Sequence, residues 1–138
     1  NKYRLELIAA AAKKNIDLIF TFVYARNYDD KFVGGVVKRV EKHRGKVCFV
    51  QLYCSKRNLF KRLKHPSRER FSKMKNLKAL KAVMQKYDVL SSVPYTNNLI
   101  INNTNLFPRQ VAKKIISYFK LKPSTFKQMD WAKAIKVG

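Results

Sequence analysis

Two apolar runs of strand length, DLIFTFVY at 17–24 and VCFVQLYC at 47–54, each follow a stretch whose apolar residues recur at helical spacing. That alternation constrains the fold more than any other feature of the chain. Parallel strands need a crossover long enough to hold a helix, so helix, strand, helix, strand is the pattern of a parallel α/β sheet. The second run is nearly continuous in apolar residues, which predicts a strand buried on both faces.

The first helix is expected over 2–14, where Leu5, Ile8, Ala9 and Ala12 share a face and Asn15 closes it. Phe32, Val36, Val37 and Val40 predict a second helix up to His43, with Asp29 or Asp30 as its N-cap and Gly45 as its C′ residue. Gly34 and Gly35 fall inside that helix, each at a cost of about 1 kcal/mol relative to alanine. After the second strand, Ser55 is placed to cap a helix carrying Leu59, Phe60 and Leu63 on one face. His65-Pro66-Ser67 then breaks the pattern. A further helix is expected over 76–87, a short strand over 98–102 (NLIIN), and a helix over 109–119 with Pro108 in its first turn. Residues 122–138 read as a tail or short extra helix, with Trp131 as a docking anchor.

The 138 residues suffice for one domain with a core, and 46% hydrophobic composition excludes wholesale disorder. No apolar run approaches the roughly 18 residues of a membrane span, and the amphipathic start lacks the form of a secretory signal. Membrane partners are therefore not expected. Cys48 and Cys54 lie too far apart on one strand to bridge, and are read as reduced thiols of a cytoplasmic protein. The formal charge is +23, and eleven Lys and Arg lie between 56 and 81, where Glu69 is the one acid. Such a field concentrates phosphates and nucleic acids.

DLIFTFVYA, KVCFVQLYCSKRNLFKRL, HPSRERFSKMK and NLIINNTNLFPRQVAKKII, in that order, resemble the C-terminal part of a P-loop kinase. The likeness runs over 2–121 and is nearest to small proteins described as AAA-family ATPases or shikimate-kinase-like. It implies a three-layer α/β/α fold with a mostly parallel sheet, and ATP-dependent phosphoryl transfer, with Mg²⁺, to a small-molecule acceptor. It also implies a lid near 64–75. In such kinases a first strand and a GxxxxGK[ST] loop supply the N–H cradle, the phosphate-binding lysine and the hydroxyl on Mg²⁺. The glycines here are Gly34, Gly35, Gly45 and Gly138, and none sits in such a loop. The implied domain thus lacks its N-terminal strand and P-loop, and is inactive alone. The absent strand would lie between those at 17–24 and 47–54. Arg57-Asn58 and Asn102-Asn103 also stand where the family usually carries acids.

The resemblance assigns Arg62 to the adenine, and Arg68 and Arg70 to closing from the lid onto the transferring phosphate. Guanidinium forks suit that task, although a solvated basic face is the plainer account of a charge run. It places Asn103 and Thr104 beside the base, although ordinary turn chemistry before Pro108 is the favoured account of them. Neither His43 nor His65 has partners at metal-ligand spacing, and no metal site is expected. The alternative function is a non-enzymatic nucleic-acid-binding module derived from a degenerate kinase, using the basic region at 56–81.

Overall fold

Alanine-rich helix α1 (Lys2–Lys13) buries Ile8 and stops where Asn15 turns to φ 54°, so that Ile16 N–H reaches Ala11 O at 2.9 Å. This computed structural model describes residues 1–66, 68 and 74–122. The same six-to-one closure ends two other helices. In α2 (Asp30–Glu41), Gly45 N–H reaches Val40 O at 3.0 Å past Arg44 at φ 61°. In α5 (Pro108–Phe119), Leu121 N–H reaches Ile116 O at 3.0 Å past Lys120 at φ 51°.

Gly45 was expected at the left-handed position, but Arg44 occupies it. Gly45 comes one residue later and serves by its missing side chain. A Cβ there would stand 2.7 Å from Val40 Cγ1.

The helical pair α1–α2 forms one packed unit. Val33, 1% exposed, and Phe32 are its buried residues on α2. Gly35 lies against α1, where an added Cβ would sit 3.4 Å from both Leu5 methyl carbons and 3.3 Å from Arg39 Nη1. At Gly34 the added Cβ would meet only Tyr95 Oη, at 3.6 Å. Gly34→Ala is therefore expected to stabilise the protein by about 1 kcal/mol, the full helix-propensity gain. Gly35→Ala should gain less, because Leu5 has to give way. Urea unfolding of the two variants checks the difference.

Residues 17–24 were expected as a strand, yet among the described residues they pair with none. They are held instead through side chains. Phe20 and Phe22 set their rings 6.1 and 5.7 Å from Phe32, and the Tyr24 hydroxyl donates to Asp30. Burial, and then that hydrogen bond, push the Tyr24 phenol up to about 12. Asp29 stands at the N-cap of α2, but its carboxylate turns back to accept from Ala25 N–H at 2.9 Å. The outer side of this segment stays in solvent, with Ile19 94% and Val23 75% exposed.

Strands β1 (Phe49–Tyr53) and β2 (Asn98–Asn102) form a parallel two-stranded sheet, registered Phe49 to Asn98 and Tyr53 to Asn102. Phe49 N–H donates to Asn97 O and Asn103 N–H to Tyr53 O. The alternating pattern then turns the main-chain groups of Val50 and Leu52 away from β2, to an edge that no other strand of the described residues pairs. The α/β class and parallel pairing are as the alternation predicts. Burial of β1 on both faces is not observed. Leu52 is 50% and Tyr53 46% exposed.

Helix α5 packs on β2, with Val111 and Ile101 both buried. Helix α3 (Lys56–Leu63) follows β1 and buries Leu63; α4 (Leu77–Lys86) precedes β2. Both are capped as their sequences specify. Ser55 Oγ accepts from Asn58 N–H, and Asn76 Oδ1 from Ala79 N–H. The loop after α4 ties the parts together. Asp88 O accepts from Arg26 N–H, and Leu90 O from Gln51 Nε2, both at 2.8 Å. Hydrogen bonds from Ser91 and Leu90 hold the Asp88 carboxyl below the usual carboxylate range. The expected tail, with Trp131, lies outside the described residues.

Candidate functional site

Because β1 and β2 are parallel, their carboxyl ends lie together, and the helices that follow them start at the same end of the sheet. Ligands of open α/β sheets bind in this position. Here the short connections after the two strands are latched to each other. Ser55 N–H donates to Thr104 Oγ1 at 2.9 Å, and Asn58 Nδ2 donates to Thr104 O at 3.3 Å. Thr104 N–H in turn donates to Asn102 Oδ1 at 3.0 Å, a tight turn that fixes the loop.

One turn along α3, Arg62 grips the neighbouring residue of that loop with both prongs. Nη1 donates to Asn103 Oδ1 at 3.1 Å and Nη2 to Asn103 O at 2.9 Å. Arg68 continues the chain of contacts. Its Nε donates to Arg62 O and its Nη1 to Met74 O, both at 2.8 Å. The guanidinium therefore clasps the end of α3 to the stretch just before α4.

Of the residues singled out from the sequence, Arg62, Arg68, Asn103 and Thr104 are thus joined in one network. Arg70, and most of the proposed lid, lie outside the described residues. The sequence did not point to Ser55 and Asn58 as partners of Thr104. The available signal was Asn58 itself, an amide in the first turn of a helix that otherwise exposes cations.

The chemistry of the network is that of donors. Among the described residues, Arg62 and Arg68 each direct two of their five N–H groups at carbonyl oxygens. Its described members include no carboxylate. Mg²⁺ needs hard oxygen ligands, normally one or two carboxylates together with phosphate, so these residues do not fit that ion. Among the described residues no group of three His, Cys, Asp or Glu is placed to hold a metal. No helix of the described residues is long and apolar enough to cross a membrane.

An open cleft of about 890 Å³ runs from this loop along β2 and α5, lined by Leu99, Ile101, Asn102, Thr104, Lys113 and Tyr118.

If the Arg62 grip orders the loop, its removal has a measurable cost. Arg62→Ala is expected to destabilise the protein by about 2 kcal/mol, since it strips two charge-assisted bonds and leaves Asn103 unpaired. Asn103→Ala retains the bond to the main-chain oxygen and should cost about half as much. The double variant should fall short of the sum by about 1 kcal/mol, as a double-mutant cycle would show for groups in contact.

Comparison of the chain with family models, with curated proteins and with solved structures returns no match.

Proposed function

We propose that this chain forms part of an ATP-dependent phosphotransferase of the P-loop small-molecule kinase class, with a three-layer α/β/α fold when complete. In this reading Arg62, Asn103 and Thr104 serve the nucleotide base, and Arg68 and Arg70 serve the phosphate side. The chain by itself supplies no phosphate cradle and is inactive alone. ATP and Mg²⁺ enter with the missing loop, and no transfer step is assigned to the residues described.

One observation carries the reading. Arg62 of the helix after β1 is bonded to Asn103 of the loop after β2, at the carboxyl ends of parallel strands. Among the described residues, the segment at 17–24 and the outer edge of β1 pair with no strand, which supports the reading of a sheet with room for one more.

Calorimetric titration with ATP and Mg²⁺ tests the proposal on two proteins. One is the chain as it stands. The other carries an apolar strand and a GxxxxGK[ST] loop joined before Asn1. Binding is expected only in the second, weakened about tenfold (1.4 kcal/mol) by Arg62→Ala. Absence of binding in both proteins would overturn the kinase reading.

A further inference from the structure

The basic residues between 56 and 81 are distributed over two helices in a definite way. On α3 and its C-cap, Arg57, Lys61 and Lys64 recur at spacings of four and three, and all three are exposed. On α4, Lys78 and Lys81 are exposed on one face, three residues apart. Side chains at such spacings align along a helix, so the α3 row extends about 10 Å.

The two rows do not lie apart by default. The Arg68 clasp holds Arg62 O at the end of α3 and Met74 O ahead of α4 on one guanidinium. The half-buried Arg68 guanidinium thus adds a further positive charge at the end of α3, where like charges repel. No acid relieves that repulsion among the described residues of either helix. Between Glu41 and Asp88 the sequence has one acid, Glu69. An arrangement that concentrates positive charge, with no acid among the described residues of either helix, fits an external polyanion better than it fits self-stabilisation.

From this we infer that the outward faces of α3 and α4, joined by the Arg68 clasp, form a docking surface for the phosphodiester backbone of a nucleic acid. Regularly spaced lysines match regularly spaced phosphates. The rows carry no Phe, Trp or Tyr to insert between acyl chains, as a membrane-surface helix would. Recognition is of the backbone and independent of base sequence, because lysine contacts to phosphate carry no sequence information. The surface stands independently of ATP binding and needs no nucleotide.

The test is fluorescence anisotropy of a labelled 20-nucleotide strand of mixed sequence, without ATP, at 50 and 200 mM salt. About six phosphate contacts predict a roughly three-hundredfold loss of affinity over that range for a single strand. Lys61→Glu, Lys64→Glu, Lys78→Glu and Lys81→Glu together should remove most of the affinity and flatten the salt slope. Lys13→Glu, Lys14→Glu, Lys113→Glu and Lys114→Glu, an equal change of net charge elsewhere, should leave most of both. All eight positions are exposed, and a thermal melt of each variant confirms folding. Equal loss in the two variants would show that net charge alone attracts the strand, and would overturn the surface. So would displacement of the strand by polyglutamate, or by vesicles rich in phosphatidylserine, at equal charge. A salt slope near zero would overturn it as well.

Discussion

Phe32→Ala should lower the folding free energy by about 3–5 kcal/mol, the usual cost of emptying a buried phenylalanine site. Phe32 is 6% exposed, and it is the one ring on α2 against which both Phe20 and Phe22 lean. Each ring pair adds about 0.5–1.5 kcal/mol beyond the area it buries. The effect should also be local in a recognisable way. Residues 17–24 pair with no strand among the described residues, so their order depends on these rings and on the Tyr24–Asp30 bond. Amide exchange should rise across 18–24 well before it rises in β1 or α5. If urea unfolding shows the loss while exchange at 18–24 stays unchanged, something other than Phe32 positions the segment.

A second large effect is expected from supplying a strand. Joining an apolar strand and a GxxxxGK[ST] loop before Asn1 should raise the stability by about 3 kcal/mol, apart from any nucleotide bound. Ile19, Val23 and Leu52 together leave large apolar areas in water, and each is worth about 1.5–3 kcal/mol when fully covered. The entering strand contributes its own apolar side chains and satisfies the outward main-chain groups of β1. Ordering its backbone costs about 1–2 kcal/mol per residue, which offsets most of the gain. A net 3 kcal/mol corresponds to a melting temperature higher by roughly 10 °C for a protein of this size. A strand of alternating lysine and serine, equal in length, should give no increase. Equal melting temperatures for the apolar and polar strands would mean that the segment at 17–24 and the edge of β1 do not form a slot.

The local structure was largely legible in the sequence. NLIIN at 98–102 is β2 without adjustment, Ser55 caps α3 through its hydroxyl, and Pro108 opens α5. Each of these depends on a few adjacent residues and the chemistry of a cap or an alternation. The segment at 17–24 shows where that kind of inference stops. Its apolar pattern records a capacity to be buried, whereas a strand is a relation to a second chain segment, and no described segment pairs with it. β1 fails the both-faces expectation as well. Gly45 was assigned by habit to the position that needs positive φ. The chain puts Arg44 there and uses Gly45 to let the turn pass Val40.

The site was legible only in part. Arg62 and Asn103 stand 41 residues apart, and nothing in either neighbourhood announces the other. The family resemblance placed both near a nucleotide base, but their mutual bond had to be seen. Arg68 was one of a run of cations, indistinguishable by composition from those around it. Its guanidinium is set apart by two carbonyl oxygens, Arg62 O and Met74 O, that no side-chain pattern encodes.

The pairing of β1 with β2 has a consequence for how the chain reaches its native state. Phe49 waits for Asn98, and closing a loop of that length costs about 3 kcal/mol more than closing a two-residue hairpin. Helices α3 and α4 need no such closure and are expected to form first. During synthesis at about 5–20 residues per second, β1 is made several seconds before its partner exists. Over that interval an apolar strand with both edges bare is open to pairing with another chain. The eleven cations between 56 and 81 follow it directly. Their mutual repulsion between nascent chains keeps such a strand from associating until β2 arrives, the role that charged residues flanking aggregation-prone strands commonly fill.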